Sequence, residues 1–281
     1  MKTGLVLEGG ACRGIFTTGV LDCFLEKNLT FDYCIGVSAG AGNAMNFKSR
    51  QPGRVCALTA GDVEYYGLTT LPRTGNLIDL DFLYGTLSFE GDRPFDFKTY
   101  YENPMVCEYV VTNCMTAQPM YLSENVYQNR LVDIVKASSA MPGICHPQMV
   151  DEIPCLDGGI GDPLPVFRAM GQGCDRVVLV TTKPIDTIHP TDYTKLRPVL
   201  SKLYKKRFPQ FYEALMTRVK RYFAQMDEIL ELEKEGQIYV IRPKVCEVKS
   251  LERDKEKMMG YYHHGIHQAE KHWEELMTYL K

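Results

Sequence analysis

The pentapeptide Gly36-Val37-Ser38-Ala39-Gly40 constrains this chain more than any other stretch. An apolar run, Phe31-Asp32-Tyr33-Cys34-Ile35-Gly36-Val37, leads into it, and a small-residue run, Ala39-Gly40-Ala41-Gly42-Asn43-Ala44-Met45, leads out. The order is strand, sharp turn, helix, with a serine at the turn, which is the context a G-x-S-x-G nucleophile elbow requires. A tight strand-to-helix turn carries the chain past itself, so a side chain at Gly36 or Gly40 would collide with it. Ser38 is thereby lifted to the top of a sheet, at the positive end of a helix. The pentapeptide alone reads equally well as a Gly-rich turn with an incidental serine; the flanking strand and helix favour the nucleophile.

Upstream, Gly4-Leu5-Val6-Leu7 predicts a short buried strand, and Ile15 to Lys27 carries apolar residues at helical spacing. The first 50 residues therefore predict a βαβ unit on a parallel sheet. Between the first strand and helix lies Glu8-Gly9-Gly10-Ala11-Cys12-Arg13-Gly14. Small residues at a strand end let several backbone N–H groups converge on an anion. The dinucleotide pattern G-x-G-x-x-G is not met, so an oxyanion hole beside Ser38 is the better reading, with a purely structural turn as the alternative. Arg13 is suited either to stabilising developing negative charge or to pinning the loop through a salt bridge, and the second reading is favoured.

Composition bounds the rest. The chain has 281 residues, 45% hydrophobic and 24% charged, with net charge −3, which argues against nucleic acid as a partner. Ten cysteines contain no C-x-x-C and sit mostly in apolar runs, so they read as reduced core residues, not a disulfide frame or a zinc site. No secretory signal and no stretch of 18 apolar residues is seen, and the expected setting is the cytosol.

Further along, Val55 to Tyr66 predicts a helix, and residues 67–104 an irregular insertion forming part of the site wall. Met105 to Asn113 predicts a strand with Met115 to Leu122 as its hairpin or edge partner, and Asn125 to Ala137 a helix. Val150 to Leu156 predicts a strand broken by Pro154 and ending at Asp157-Gly158-Gly159. That aspartate can reach a site at the sheet edge, although the triplet by itself favours an Asx turn. Asp175 to Thr182 predicts a buried strand, Gln237 to Pro243 the last strand, and Leu251 to Lys281 a closing helix. Between them, Lys195 to Tyr222 holds nine cations against Glu213 alone, interleaved with Leu200, Leu203, Tyr204, Phe208, Phe211, Tyr212 and Leu215. Such a stretch either lies on an anionic membrane surface or forms a solvated helix face covering the core. No clean linker divides the chain, so residues 1–281 are expected to form one α/β domain.

Taken together, the Glu8–Gly14 loop, the Ser38 elbow, Ser138-Ser139-Ala140-Met141-Pro142 and Asp157-Gly158-Gly159 resemble the patatin-like phospholipase family. The resemblance covers about residues 4–183, and residues 190–281 would extend the same domain with helices and a strand. It implies a three-layer α/β/α fold with a mainly parallel central sheet, and lipid acyl hydrolysis by a Ser–Asp dyad without histidine, metal or cofactor. Carried over by position, Ser38 is the nucleophile and Asp157 its proton acceptor, supported by Gly158 and Gly159. Gly9, Gly10, Ala11, Arg13 and Gly14 form the oxyanion loop. Ala11 stands where the family usually has a third glycine; if that position needs positive φ, alanine costs on the order of 1 kcal/mol. The expected partner is a lipid or small ester, with peripheral contact to anionic membrane through residues 195–222. Two rivals stay open: a Ser-His-Asp triad drawing on His146, His189, His263, His264, His267 or His272, and a non-catalytic lipid- or protein-binding module on the same scaffold.

Overall fold

The computed structural model describes residues 1–60, 70–90, 92–187 and 190–281. Its centre is an eight-stranded sheet: β1 (Thr3–Leu7), β2 (Tyr33–Val37), β3 (Val106–Asn113), β4 (Pro119–Leu122), β5 (Gln148–Val150), β6 (Ile153–Asp157), β7 (Arg176–Val180) and β8 (Ile238–Ile241). Pairing runs β5-β6-β3-β2-β1-β7-β8, with β4 on β3. The β3-β2-β1-β7-β8 run is parallel, and the β3–β4, β3–β6 and β5–β6 pairs are antiparallel.

Alternation along the strands sorts the core into layers, because successive side chains point to opposite faces. Leu5, Leu7, Cys34, Val178 and Val180 enter one apolar cluster, and Val6, Ile35, Val37, Val177 and Leu179 the other. The first face is covered by α1 (Gly14–Glu26), α2 (Ala39–Lys48), α3 (Arg54–Ala60) and α4 (Gln128–Ser139), and by α7 (Lys255–Lys271) and α8 (Trp273–Tyr279). The second is covered by α5 (Val166–Gly171) and α6 (Pro209–Lys234). This is the three-layer α/β/α arrangement. Both faces of the inner strands are buried, which is why those strands read as continuous apolar runs instead of alternating ones.

The C-terminal part is built into this core. β8 extends the sheet beside β7, and α7 lies directly on α1. A Cβ at Gly19 would stand 2.0 Å from the Tyr262 carbonyl oxygen, and one at Gly265 2.1 Å from that of Phe16. The two helices thus approach backbone to backbone through reciprocal glycines, which buries α1 almost completely. A third cluster caps the sheet edge, where Leu200, Tyr204, Phe208 and Phe211 meet Ile78, Cys145 and Ile160.

Several local expectations change. The predicted helix over 55–66 is described as α3 over Arg54–Ala60, and residues 61–66 lie outside the described residues. The break in the 150–156 strand is not at Pro154. Asp151 and Glu152 both take positive φ, at 49° and 65°, and fold β5 onto β6 as a tight hairpin with Pro154 inside β6. The closing helix is two, α7 and α8, meeting at His272. All ten cysteines are free thiols, and only Cys246 is other than buried. Among the described residues no helix is long and apolar enough to cross a membrane.

Candidate active site

Strand β2 ends at Val37, α2 begins at Ala39, and Ser38 between them has φ 56° and ψ −124°. Positive φ strains a serine by about 1–3 kcal/mol, and such strain persists only where the surroundings over-determine it. Here they do. A Cβ at Gly36 would lie 2.2 Å from the Gly40 carbonyl oxygen, and one at Gly40 2.3 Å from that of Leu7. The Ser38 hydroxyl does not cap α2. It donates to Asp157 Oδ2 at 2.7 Å, while the Ser38 amide donates to Ser138 Oγ at 2.9 Å.

Topology explains how residues so distant in sequence meet. On β3, β4 occupies one edge from Tyr109 to Thr112. The other edge carries β2 up to the Val37–Val110 pair and then β6, whose Asp157 pairs with Val111. Strand β6 runs antiparallel, so β2 and β6 abut end to end with both carboxyl ends at one point. The Asx turn is also present, because Asp157 Oδ1 accepts the Gly159 amide at 2.8 Å. One oxygen orients the carboxylate and the other meets the serine, so the two readings of this triplet are compatible. The Asp157 amide donates to Ala140 O at 2.9 Å, and Thr112 Oγ1 to Asp157 O at 2.8 Å.

Both side chains are buried, Ser38 at 7% exposure and Asp157 at 8%. Burial pushes the Asp157 carboxyl above its ordinary value, against the opposing pull of the Ser38 hydrogen bond, the Gly159 amide and the Arg218 charge. A carboxylate so placed is a stronger base than an exposed one.

The Glu8–Gly14 loop passes beside the serine, and a Cβ at Gly9 would lie 2.9 Å from Ser38 Cβ. Ala11 takes φ 49°, the left-handed conformation a glycine would adopt freely. In the second half of the loop the amides already have acceptors: Cys12 donates to Ser250 O outside the loop, and Arg13 to Gly10 O and Gly14 to Ala11 O within it. The expected donor set therefore narrows to Gly9, Gly10 and Ala11, whose amides have no acceptor among the described residues. Gly14 and the Arg13 amide drop out of it. Arg13 also lacks the favoured salt bridge among the described residues; its Nη2 donates to Ser250 Oγ at 2.8 Å, and its buried Nε has no partner there.

Ser38 borders two cavities. One is largely apolar, with Ile15, Met45, Leu58, Ile78, Leu83 and Met141 in its wall. The other is polar and brings Glu8, Arg13, Lys183, Arg218 and Tyr222 up to Asp157. Glu8, Lys183 and Arg218 escaped the sequence reading as site residues. A charged side chain closing each apolar strand, Glu8 after β1 and Lys183 after β7, was a usable signal; Arg218 carried none.

Two of the described histidines make their contacts away from Ser38. His264 rests on Phe16 and Tyr261 and accepts the Lys244 amide, and His272 bonds Tyr239. Among the described residues no histidine hydrogen-bonds Ser38 or Asp157, and His189 lies outside them. The described residues hold no cluster of His, Cys, Asp and Glu suited to a metal.

The mostly parallel sheet of this α/β/α fold thus carries, at its strand ends, an elbow serine with positive φ hydrogen-bonded to a buried aspartate. The model of the family described as patatin-like phospholipase matches residues 5–170, more than half of the chain, and the chain belongs to that family. Residues 208–281 match a second model, a domain of unknown function designated DUF6363. The chain is similar to the uncharacterized protein YjjU of Escherichia coli K12, 33% identical over 202 residues, covering 69% of this chain and 56% of that one. It is also similar to lysophospholipase nte1 of Aspergillus terreus, 30% identical over 204 residues, covering 68% of this chain and 12% of the fungal protein. VipD from Legionella pneumophila aligns over 96% of this chain and 66% of its own, with TM-score 0.48 and 15% identity. The chain thus spans about half or less of the curated relatives named here.

Proposed function

We propose that this protein is a serine acyl hydrolase that cleaves carboxylic esters of lipids, in the manner of a phospholipase A or lysophospholipase. The observation that carries the reading is the 2.7 Å hydrogen bond from Ser38 Oγ to Asp157 Oδ2, beside a largely apolar cavity. Ser38 Oγ attacks the ester carbonyl carbon and its proton passes to Asp157. Amides of Gly9, Gly10 and Ala11 hold the oxyanion; loss of one such donor typically raises a barrier by about 3 kcal/mol. As the tetrahedral intermediate collapses, the ester C–O bond breaks and Asp157 returns the proton to the departing alcohol. Water then attacks the acyl-serine, Asp157 takes its proton, and the proton ends on Ser38 Oγ as the fatty acid leaves. The scheme uses only this chain's own residues.

Residues 1–281 act in this reading as one domain, because Tyr222 of α6 donates to Glu8 and α7 covers α1. The basic stretch is divided. Arg218 and Arg221 turn inward onto the carbonyls of Gly159 and Ile160, whereas Leu196, Val199 and Leu203 are exposed among Lys195, Arg197, Lys202, Lys205 and Lys206. That outer part is the surface we assign to anionic membrane, and the cytosol as its setting belongs to the same proposal. The test is a panel of lysophospholipid, diacyl phospholipid, neutral glyceride and short-chain nitrophenyl esters with wild type and Ser38→Ala. Fatty-acid release that is lost in Ser38→Ala supports the proposal. Release by neither protein, or by both alike, contradicts it.

A further inference from the structure

The reaction proposed above uses the apolar cavity and the loop amides, but not the cations of the polar chamber on the other side of Ser38. Lys183 is buried, and its ammonium lies 3.8 Å from Glu8 Oε1, a loose pairing. The Glu8 oxygens are held by closer donors: the Tyr222 hydroxyl at 2.7 Å on one, and the Thr182 amide at 2.6 Å and hydroxyl at 3.0 Å on the other. Arg218 is anchored by carbonyls, with Nε on Gly159 O at 3.0 Å and Nη1 on Thr191 O at 3.2 Å, and it faces the rings of Tyr193 and Tyr222. Carbonyls orient a guanidinium without neutralising it. Arg13 completes the wall, its Nε without a partner among the described residues. Among the described residues, the acidic groups lining the chamber with these three cations are Glu8 and Asp157, and partly buried charges left under-compensated carry a desolvation cost that an arriving anion would offset. Burial lowers the Lys183 pKa, in keeping with an ammonium short of counter-charge.

We propose that this chamber is the leaving-group subsite, and that Lys183 and Arg218, with Arg13, recognise an anion carried by the alcohol half of the ester, a phosphate in the first instance. The acyl chain then lies in the apolar cavity, and the scissile carbonyl sits at Ser38 where the two spaces meet. Lys183 and Arg218 both fall beyond residue 170, where the patatin-like match ends. Arg218 has a second effect: through the Gly159 carbonyl it steadies the glycine whose amide orients Asp157. The subsite rests on the acyl-hydrolase reading, and its test separates the two.

The test compares two esters with the same acyl chain, 1-acylglycerol 3-phosphate and 1-acylglycerol, below their aggregation concentrations and with the full-length protein. The expected kcat/KM ratio favours the phosphate ester by about tenfold or more, the scale of a charge-assisted pair. Lys183→Gln and Arg218→Gln each bring that ratio toward one, chiefly through KM for the phosphate ester, whatever happens to absolute rates. Arg218→Lys restores part of the ratio, which a purely structural role would not. Glycerol 3-phosphate should compete with the phosphate ester. Ser38-dependent turnover of both esters at a ratio near one overturns the subsite and leaves the hydrolase reading standing. The same ratio accompanied by inhibition with inorganic phosphate makes the chamber a site for free anions and also overturns the subsite. No Ser38-dependent turnover of either ester removes the hydrolase reading, and the subsite with it.

Discussion

Replacing Asp157 by asparagine changes one oxygen to an amide nitrogen at nearly constant volume. Its consequences follow from which oxygen does what. Oδ1 accepts the Gly159 amide at 2.8 Å and Oδ2 accepts the Ser38 hydroxyl at 2.7 Å. An asparagine satisfies both neighbours by keeping its carbonyl on Gly159 and turning its NH₂ toward Ser38 Oγ. Ser38 then accepts a hydrogen bond, and its proton has no base to go to. Loss of positioned general-base catalysis lowers the rate by about 10²–10⁴, or roughly 3–5 kcal/mol of barrier. The backbone bonds of this residue to Ala140 and Thr112 survive, so the fold persists. Stability should move the other way. Burial raises the folded-state pKa of Asp157, so folding favours the protonated acid and the ionised form counts against the native state. That penalty is absent below the unfolded value near 3.8, develops as pH rises toward the raised folded value, and is full above it. Asp157→Asn should therefore match or exceed wild type in urea at pH 7 and lose that advantage below pH of about 4. The assay is kcat/KM on a short-chain nitrophenyl ester, beside urea midpoints at both pH values. Turnover within tenfold of wild type would falsify the role given to Asp157, and a large loss of stability at pH 7 would mean the carboxylate is structural.

Three further outcomes are expected. The acid limb of the kcat/KM profile should lie above the ordinary carboxylate value of 3.8, since activity needs the ionised form of a carboxyl whose pKa burial raises; a limb at or below that value contradicts the account. Gly19→Ala drives a methyl against the Tyr262 carbonyl oxygen at 2.0 Å, and overpacking of this kind should cost about 1–3 kcal/mol in denaturant unfolding, with no loss showing that α1 and α7 separate easily. Reversing Lys202, Lys205 and Lys206 to glutamate should weaken sedimentation with anionic vesicles while hydrolysis of a monomeric ester stays near wild type, and unchanged sedimentation removes the membrane role from this surface.

The local parts of the site were legible because each is enforced by contacts a few residues long. Gly36 and Gly40 are demanded by the turn itself, and Leu5 to Leu7 announce a strand buried on both faces. Ala11 stood out as a non-glycine at a position suited to glycine, and its φ of 49° bears out that concern. What escaped the reading depends on distant chain. The approach of Asp157 to Ser38 relies on β6 running antiparallel along the edge of β3 that β2 vacates, and no residue within β6 signals that direction. The hairpin that delivers β6 turns at Asp151-Glu152, a pair without the glycine or asparagine that usually marks positive φ, so Pro154 drew attention instead. The cations at 218 and 221 belong to a basic run by sequence, yet α6 turns them inward onto carbonyls. Charge can be counted along a sequence, but which face of a long helix meets the core depends on its partner.

The most direct test of the central claim is to locate the covalent adduct of a fluorophosphonate by peptide mass spectrometry. The account predicts one stoichiometric modification on Ser38, absent in Ser38→Ala and formed far more slowly in Asp157→Asn. A label on another residue, or labelling equally fast in Asp157→Asn, would contradict it.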